Sequence, residues 1–285
     1  MNERFPESVL VVGCGLIGTS LARAISSRLP DITITGVEIR PDYRGIAAEC
    51  GAFASIDADV PRASRFDLAV LATPVDVACR QLPAVAAVAD VVLDVCSVKR
   101  DICQVAERFN LRDAFAPTHP MAGLSTPGPT HATPDLFAGR TWITIAGWPA
   151  CRRVYPLLET LGARVVELPT PDLHDAAMAS VSHGIHLASL TALLASDALA
   201  TDRQGGWAEL TGPAFRDVTR LAESPTQFWR STLLANRDHV LSYISALQTV
   251  LGDIAAALTA ADGDSIEQWL ARAQSVHKKW KEERL

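Results

Sequence analysis

One run of residues, VLVVGCGLIGTSLARAI (Val9–Ile25), limits the fold more than any other part of the chain. Its first part is an apolar strand pattern, its last part a helical one, and Gly13-x-Gly15-x-x-Gly18 joins the two. A glycine triplet alone says little, but between a strand and a helix it acquires a physical role. Gly13 permits the tight turn, Gly15 lets the backbone approach a pyrophosphate, and Gly18 lets the helix pack close to the strand. Leu16 and Ile17 fall in the first helical turn, whose unpaired N–H groups and positive dipole end attract phosphate.

The same alternation continues. DITITGVEI precedes YRGIAAECG, FDLAVLAT precedes VDVACRQLPAVAAVA, and DVVLDVCS precedes KRDICQVAERF. Two more strands are expected at TWITIAG and RVVELP, with the helix CRRVYPLLETLG between them. Repeated strand–helix units build a parallel sheet covered by helices, so residues 1–169 read as an α/β Rossmann domain. From Pro171 the strand signal stops, and residues 170–285 read as an all-α domain. Its helices are expected over residues 171–200, Trp207–Leu221, Pro225–Leu258 and from Asp264 onward. They carry more apolar surface than one small bundle buries, which points to a homodimer through this domain.

Acidic residues outnumber basic ones, 32 to 26, giving a formal charge of −6. That balance excludes a general nucleic-acid or anionic-lipid binder, since both need a basic face. Most of the positive charge is arginine, the better side chain for gripping carboxylates. Cys14, Cys50, Cys79, Cys96, Cys103 and Cys151 contain no C-x-x-C pair, so no zinc site or disulfide framework is expected and a reducing, cytoplasmic setting is. The N-terminus lacks a signal-peptide pattern, and no apolar run reads as long enough to span a membrane.

Glu38 ends the second strand, 20 residues after Gly18. A carboxylate there accepts hydrogen bonds from ribose hydroxyls and repels a 2′-phosphate, which favours NAD over NADP. Arg40 argues the other way. Thr73 and Pro74, in LATPVD, follow a strand at the ligand edge of the sheet and are expected to line the nicotinamide side. Ser97 in DVCSVK and His119 in PTHPMAG also follow strands at that edge. A neutral His119 there would take a proton from a substrate hydroxyl. From the residues alone, His119 is either such a base or a loop histidine capping a strand end.

Together the glycine fingerprint, DVCSVK, THPMAG, SHGIH and FRDVTRLAESPTQFW resemble, in order and approximate spacing, the prephenate and arogenate dehydrogenases of tyrosine biosynthesis. The resemblance covers nearly the whole chain and implies an N-terminal Rossmann domain followed by a helical dimerisation domain. It implies that His119 accepts a hydrogen bond from the ring hydroxyl of prephenate, that Ser97 orients that histidine or the hydroxyl, and that NAD takes the hydride as carbon dioxide leaves. Arg220 is implied to bind a substrate carboxylate with Arg216 nearby, while His183 and His186 line the pocket and Trp229 packs beside it. The spacing places Arg216 and Arg220 on one helix face, and His183 and His186 on another. No third ligand at suitable spacing joins the two histidines, so no metal is expected.

Three features depart from the family pattern. Leu124–Gly139 is a Pro/Gly/Thr-rich stretch long enough to read as a lid. Pro213 and Ala214 stand where relatives are glycine-rich. No room for a C-terminal regulatory domain is expected. The first two touch the part of the pocket that separates prephenate from arogenate and from 4-amino-4-deoxyprephenate. Two other classes compete: another Rossmann-plus-helical oxidoreductase, which would use a lysine or aspartate on the long helix, and a non-catalytic NAD-binding module, which would need neither His119 nor Ser97.

Overall fold

The computed structural model describes residues 5–124, 126–200 and 207–284. It divides into two compact units, Met1–Arg237 and Asp238–Leu285. In the first, β1 (Ser8–Val12), α1 (Leu16–Arg28), β2 (Thr33–Val37), α2 (Pro41–Glu49), β3 (Ser55–Asp57), β4 (Phe66–Leu71), α3 (Val75–Ala86), β5 (Ala89–Asp94), α4 (Arg100–Arg108) and β6 (Phe115–Ala116) follow one another. The six strands pair in parallel, in the order β3-β2-β1-β4-β5-β6. β1 and β4 are central and almost wholly buried, which is why their sequences are nearly continuous apolar runs. Strand order reverses between them, where an open α/β sheet forms its ligand crevice.

The chain then leaves this sheet. β7 (Thr118–Pro120), β8 (Thr141–Ile145) and β9 (Arg164–Leu168) form a second sheet, with β7 antiparallel to β8 and β8 parallel to β9. α5 (Ala150–Thr160) connects the last two. Both strands expected here are present, but they do not extend the parallel sheet. His119 sits in β7 opposite Ile143, so it is neither in a loop nor a cap on one. A three-residue strand carries no readable alternation, and its edge position tolerates Pro120.

Leu124–Gly139 is a strap rather than a lid over its described residues, which omit Ser125. The Arg23 guanidinium donates to the Ala132 carbonyl, Arg28 donates to the Pro134 carbonyl at 2.9 Å and pairs with Asp135 at 3.0 Å, and the Ser20 hydroxyl accepts from Thr133 N–H at 3.1 Å. Phe137 is fully buried against Trp142. These bonds fasten the segment across α1, and they depend on side chains more than a hundred residues away.

Thr170 caps the next helix, its hydroxyl accepting from Leu173 N–H at 3.1 Å ahead of Pro171. α6 (Pro171–Met178) passes through a π-helical turn (Ala179–His183) into α7 (Gly184–Ala200). A 3₁₀ turn (Trp207–Leu210), α8 (Pro213–Thr219), a second 3₁₀ turn (Arg220–Glu223) and α9 (Thr226–Ala235) complete the first unit. The continuous helix expected over Pro225–Leu258 breaks at Asn236, whose φ of −115° and ψ of 27° leave the helical region. α10 (Arg237–Thr259), from Asp238 on, and α11 (Gly263–Arg284) make up the second unit.

Two helical stretches, Pro171–Leu199 and Arg237–Thr259, are long and apolar enough by composition to cross a membrane, contrary to the expectation above. Scattered Ser, His and Asp residues disguise them as ordinary amphipathic segments. The first holds the buried polar residues His174, Asp175, His183 and His186, so its apolar composition serves packing around a polar site.

Candidate active site

The glycine loop is shaped by contact with the end of β4. Gly13 has φ +98°, and a Cβ there would lie 2.6 Å from the Ala72 carbonyl oxygen. A Cβ on Gly18 would lie 2.0 Å from the Gly13 carbonyl oxygen, so only glycine lets α1 start this close to the turn. Gly15 faces open space, caps α1 without any side-chain hydrogen bond, and is followed by no acidic residue in the first turn. Leu16 is buried and Ile17 half-buried beside it. The result is a helix N-terminus with unpaired N–H groups facing room for an anion.

Glu38 is buried at the end of β2. Its Oε2 accepts from Cys14 N–H at 2.9 Å and its Oε1 from Arg40 N–H at 3.0 Å, which leaves lone pairs on both oxygens for ribose hydroxyls. Arg40 turns away. Its guanidinium makes two bonds to Asp42, at 3.2 and 2.5 Å, and lies 3.8 Å over the Tyr43 ring. The position that argued for NADP therefore holds a cation already matched by its own carboxylate. Thr73 donates to Gln81 Oε1 at 2.9 Å, and Pro74 caps α3.

A second cluster joins β5 to β7. Asp94 and Lys99 are fully buried and form an ion pair. Lys99 Nζ also donates to the Thr118 carbonyl at 2.6 Å, and Asp94 accepts from Thr118 N–H and Cys96 N–H, each at 3.0 Å. Burial alone would lower the lysine pKa, but the charge and hydrogen bond of Asp94 outweigh it and raise it. This staple sets β7 against the carboxyl edge of the main sheet and so places His119.

His119 Nδ1 lies 2.9 Å from His174 Nε2, and His174 Nδ1 lies 2.7 Å from Asp175 Oδ1. Asp175 also accepts from Lys99 N–H at 2.7 Å and Arg100 N–H at 3.0 Å. Burial, then the neighbouring His174, Lys99 and His183, hold the His119 pKa well below its usual value. Burial also lowers His174, against the opposing effect of the hydrogen bond it donates to Asp175. Burial would raise the Asp175 pKa, but its bonds to His174 and to the Arg100 and Lys99 N–H groups keep it lowered and the carboxylate ionised. Ser97 is half-buried after β5, and His119 Nδ1 is taken by His174 rather than by that hydroxyl.

The third group lies on the helices. Trp229 is stacked on His186, with ring centroids 3.6 Å apart and planes 6° from parallel, and meets His183 edge-on at 6.0 Å. The Asn236 amide donates to the Asp175 carbonyl at 2.7 Å, which orients it, and its Nδ2 is 3.1 Å from His183 Nδ1. An amide N–H facing Nδ1 makes that nitrogen the acceptor, so neutral His183 carries its proton on Nε2. Burial is the main cause of the His183 pKa falling to about 4, and it also lowers His186. His183 Nε2, His186 Nδ1 and Asn236 Oδ1 are buried without a partner among the described residues. Buried polar atoms left open in this way mark a place for a polar ligand or water.

The structure does not put Arg216 and Arg220 on one helix. α8 ends at Thr219, and Arg220 opens the following 3₁₀ turn because the chain tightens before Pro225. Both are exposed, and among the described residues neither makes an ion pair. The sequence reading passed over Asp94, His174, Asp175 and Asn236. Adjacent His and Asp in the first turns of an apolar helix were the available signal for two of them. Among the described residues, no group of three His, Cys, Asp or Glu side chains is placed to hold a metal ion.

The family model for the prephenate dehydrogenase nucleotide-binding domain matches residues 21–167, and that for the prephenate dehydrogenase dimerization domain matches residues 170–272. A prephenate dehydrogenase from Lactococcus lactis subsp. cremoris is 29% identical over 284 residues, covering 95% of this chain and 78% of that protein. A cyclohexadienyl dehydrogenase from Zymomonas mobilis subsp. mobilis is 26% identical over 278 residues and covers 94% of each. Among solved structures, prephenate dehydrogenase from A. aeolicus in complex with hydroxyphenyl propionate and NAD+ shares the fold, with TM-score 0.83 at 24% identity over 97% of this chain and 98% of that one. With one family model matching more than half of its length and a second most of the remainder, the chain belongs to the prephenate dehydrogenase family.

Proposed function

We propose that this protein catalyses the NAD-dependent oxidative decarboxylation of prephenate to 4-hydroxyphenylpyruvate. The observation that carries the reading is a buried, neutral His119 whose Nδ1 is already bonded, which leaves Nε2 for a substrate hydroxyl. The Gly13, Gly15, Leu16, Ile17 and Gly18 backbone would hold the NAD pyrophosphate and Glu38 a ribose, with Thr73 and Pro74 on the nicotinamide side. When bound, NAD supplies the hydride acceptor.

In this reading the hydroxyl proton passes to His119 Nε2. The same oxygen ends as a phenol in the aromatic product, so the proton goes back and His119 is neutral after each turnover. His119 therefore needs no exit path for protons, only a fixed lone pair. Ser97 sits beside the reacting hydroxyl. His183 offers its Nε2–H to a substrate oxygen, His186 and Trp229 wall the pocket, and Arg220 with Arg216 meets the carboxylates, since charge-assisted bonds are the strong ones. Residues 1–169 carry the nucleotide and 170–285 the substrate contacts and a homodimer surface, in keeping with exposed Leu241, Leu251, Leu258, Trp269 and Trp280. The six free thiols fit work in a reducing cytoplasm.

The test is NADH formation by purified protein given NAD+ with prephenate, arogenate or 4-amino-4-deoxyprephenate separately. Turnover of prephenate with formation of 4-hydroxyphenylpyruvate is the expected result. Activity with the 4-amino compound alone would keep the fold and move the substrate, and silence with all three would sink the reading.

A further inference from the structure

We infer that His174, backed by Asp175, is the positioning residue that fixes the tautomer of His119 and so presents its Nε2 lone pair to the substrate. The argument follows hydrogen-bond polarity along the chain. The Asp175 carboxylate only accepts, so at 2.7 Å it takes a proton from His174 Nδ1. A neutral His174 with its proton on Nδ1 has a lone pair on Nε2. That nitrogen lies 2.9 Å from His119 Nδ1 and accepts from it. His119 then holds its own proton on Nδ1, and Nε2 is left as the acceptor. The alternative tautomer would set two lone pairs against each other between the rings and leave the His174 acceptor unpaired in a buried site, which is unfavourable.

The polarity is anchored from outside the imidazoles. The Asp175 carboxylate is held by the Lys99 and Arg100 N–H groups and cannot rotate away without losing those two further bonds, while its backbone carbonyl accepts from Asn236. The loop after β5 and the break before α10 thus converge on one residue, the first on its carboxylate and the second on its backbone carbonyl. The arrangement follows the logic by which an acid–imidazole pair orients a base in hydrolases, with a second imidazole in place of the nucleophile. The groups that face His119 are His174 from α6, Lys99 from the loop after β5, and His183 from the π turn. After burial, His174, Lys99 and His183 all oppose a charge on His119, so what the bond to His174 sets is which ring nitrogen of the neutral imidazole carries the proton.

The inference rests on the proposed role of His119 as proton acceptor, but its first readout does not. Nitrogen-15 NMR of the wild-type protein at neutral pH reports which ring nitrogen of each histidine carries the proton. The expected result is His119 protonated on Nδ1 and bare on Nε2; the reverse tautomer overturns the inference whatever the protein acts on. The second readout is a pair of variants. His174→Leu removes the acceptor and is expected to lower kcat on the order of 10²-fold or more, with substrate KM and NAD+ affinity within about threefold of wild type, as expected of a positioning effect. His174→Gln keeps a carbonyl able to accept from Nδ1 and is expected to recover at least about tenfold of that loss. A His174→Leu kcat within threefold of wild type, or a glutamine variant no better than leucine, overturns the inference. If the leucine variant does not fold, or no substrate is turned over, the wild-type tautomer decides alone.

Discussion

Replacing Lys99 with methionine keeps the length of the side chain and removes its charge from a fully buried pair. Removing one partner of such a pair costs about 3–5 kcal/mol, because the remaining charge stays buried. Here Asp94 keeps its bonds from the Thr118 and Cys96 N–H groups, which places the expected loss near the lower end, about 3 kcal/mol. For a protein of this size that corresponds to a fall in Tm of roughly 6–12 °C. Urea denaturation followed by circular dichroism is the assay, with an unchanged m-value showing that stability rather than compactness has moved. A second effect follows from the same geometry. Lys99 is one of the groups that lower the His119 pKa, so without it that pKa rises and the acid limb of kcat/KM shifts to higher pH. A loss below about 1 kcal/mol, with an unmoved acid limb, would refute both the staple and its field at His119.

Three further outcomes are expected. Gly18→Ala drives a Cβ into the Gly13 carbonyl, a backbone atom that cannot rotate aside, so it should cost about 1–3 kcal/mol; calorimetric titration should also show NAD+ affinity at least about tenfold weaker, and wild-type affinity would remove the glycine loop from cofactor binding. Arg220→Ala should raise substrate KM by about tenfold or more through loss of a charge-assisted bond, whereas an unchanged KM excludes it from substrate binding. His183 is neutral when folded, with burial lowering its pKa from the usual 6.5 to about 4. The unfolded chain therefore binds the extra proton first, and stability should fall as pH drops from about 6.5 toward about 4, by a slope that His183→Gln reduces by one proton. An unchanged slope in that variant would assign the acid sensitivity elsewhere.

Much of this protein was legible because it is written in contiguous residues. The turn at Gly13–Gly18, the acid at Glu38 and the alternation of apolar strands with amphipathic helices are local patterns, and each maps to a structure through backbone geometry alone. The THPMAG and SHGIH segments were recognisable for the same reason. Where the reading slipped, a local pattern was absent or ambiguous. β7 is too short to alternate, Asn236 breaks a helix without glycine or proline, and α8 stops before Arg220 although no strong breaker precedes it.

What only the tertiary structure decided is who meets whom. His119 and His174 are 55 residues apart, Asn236 reaches back 61 residues to Asp175, and the strap over α1 is held by Arg23 and Arg28 from more than a hundred residues away. Sequence spacing sets which side chains share a face, but a hydrogen bond depends on a distance of about 3 Å and on which atom carries the proton. Those are settled only when separate elements pack. The sequence by itself therefore determined the nucleotide-binding architecture; the packed structure determined that His119 lies in β7 with its Nδ1 against His174.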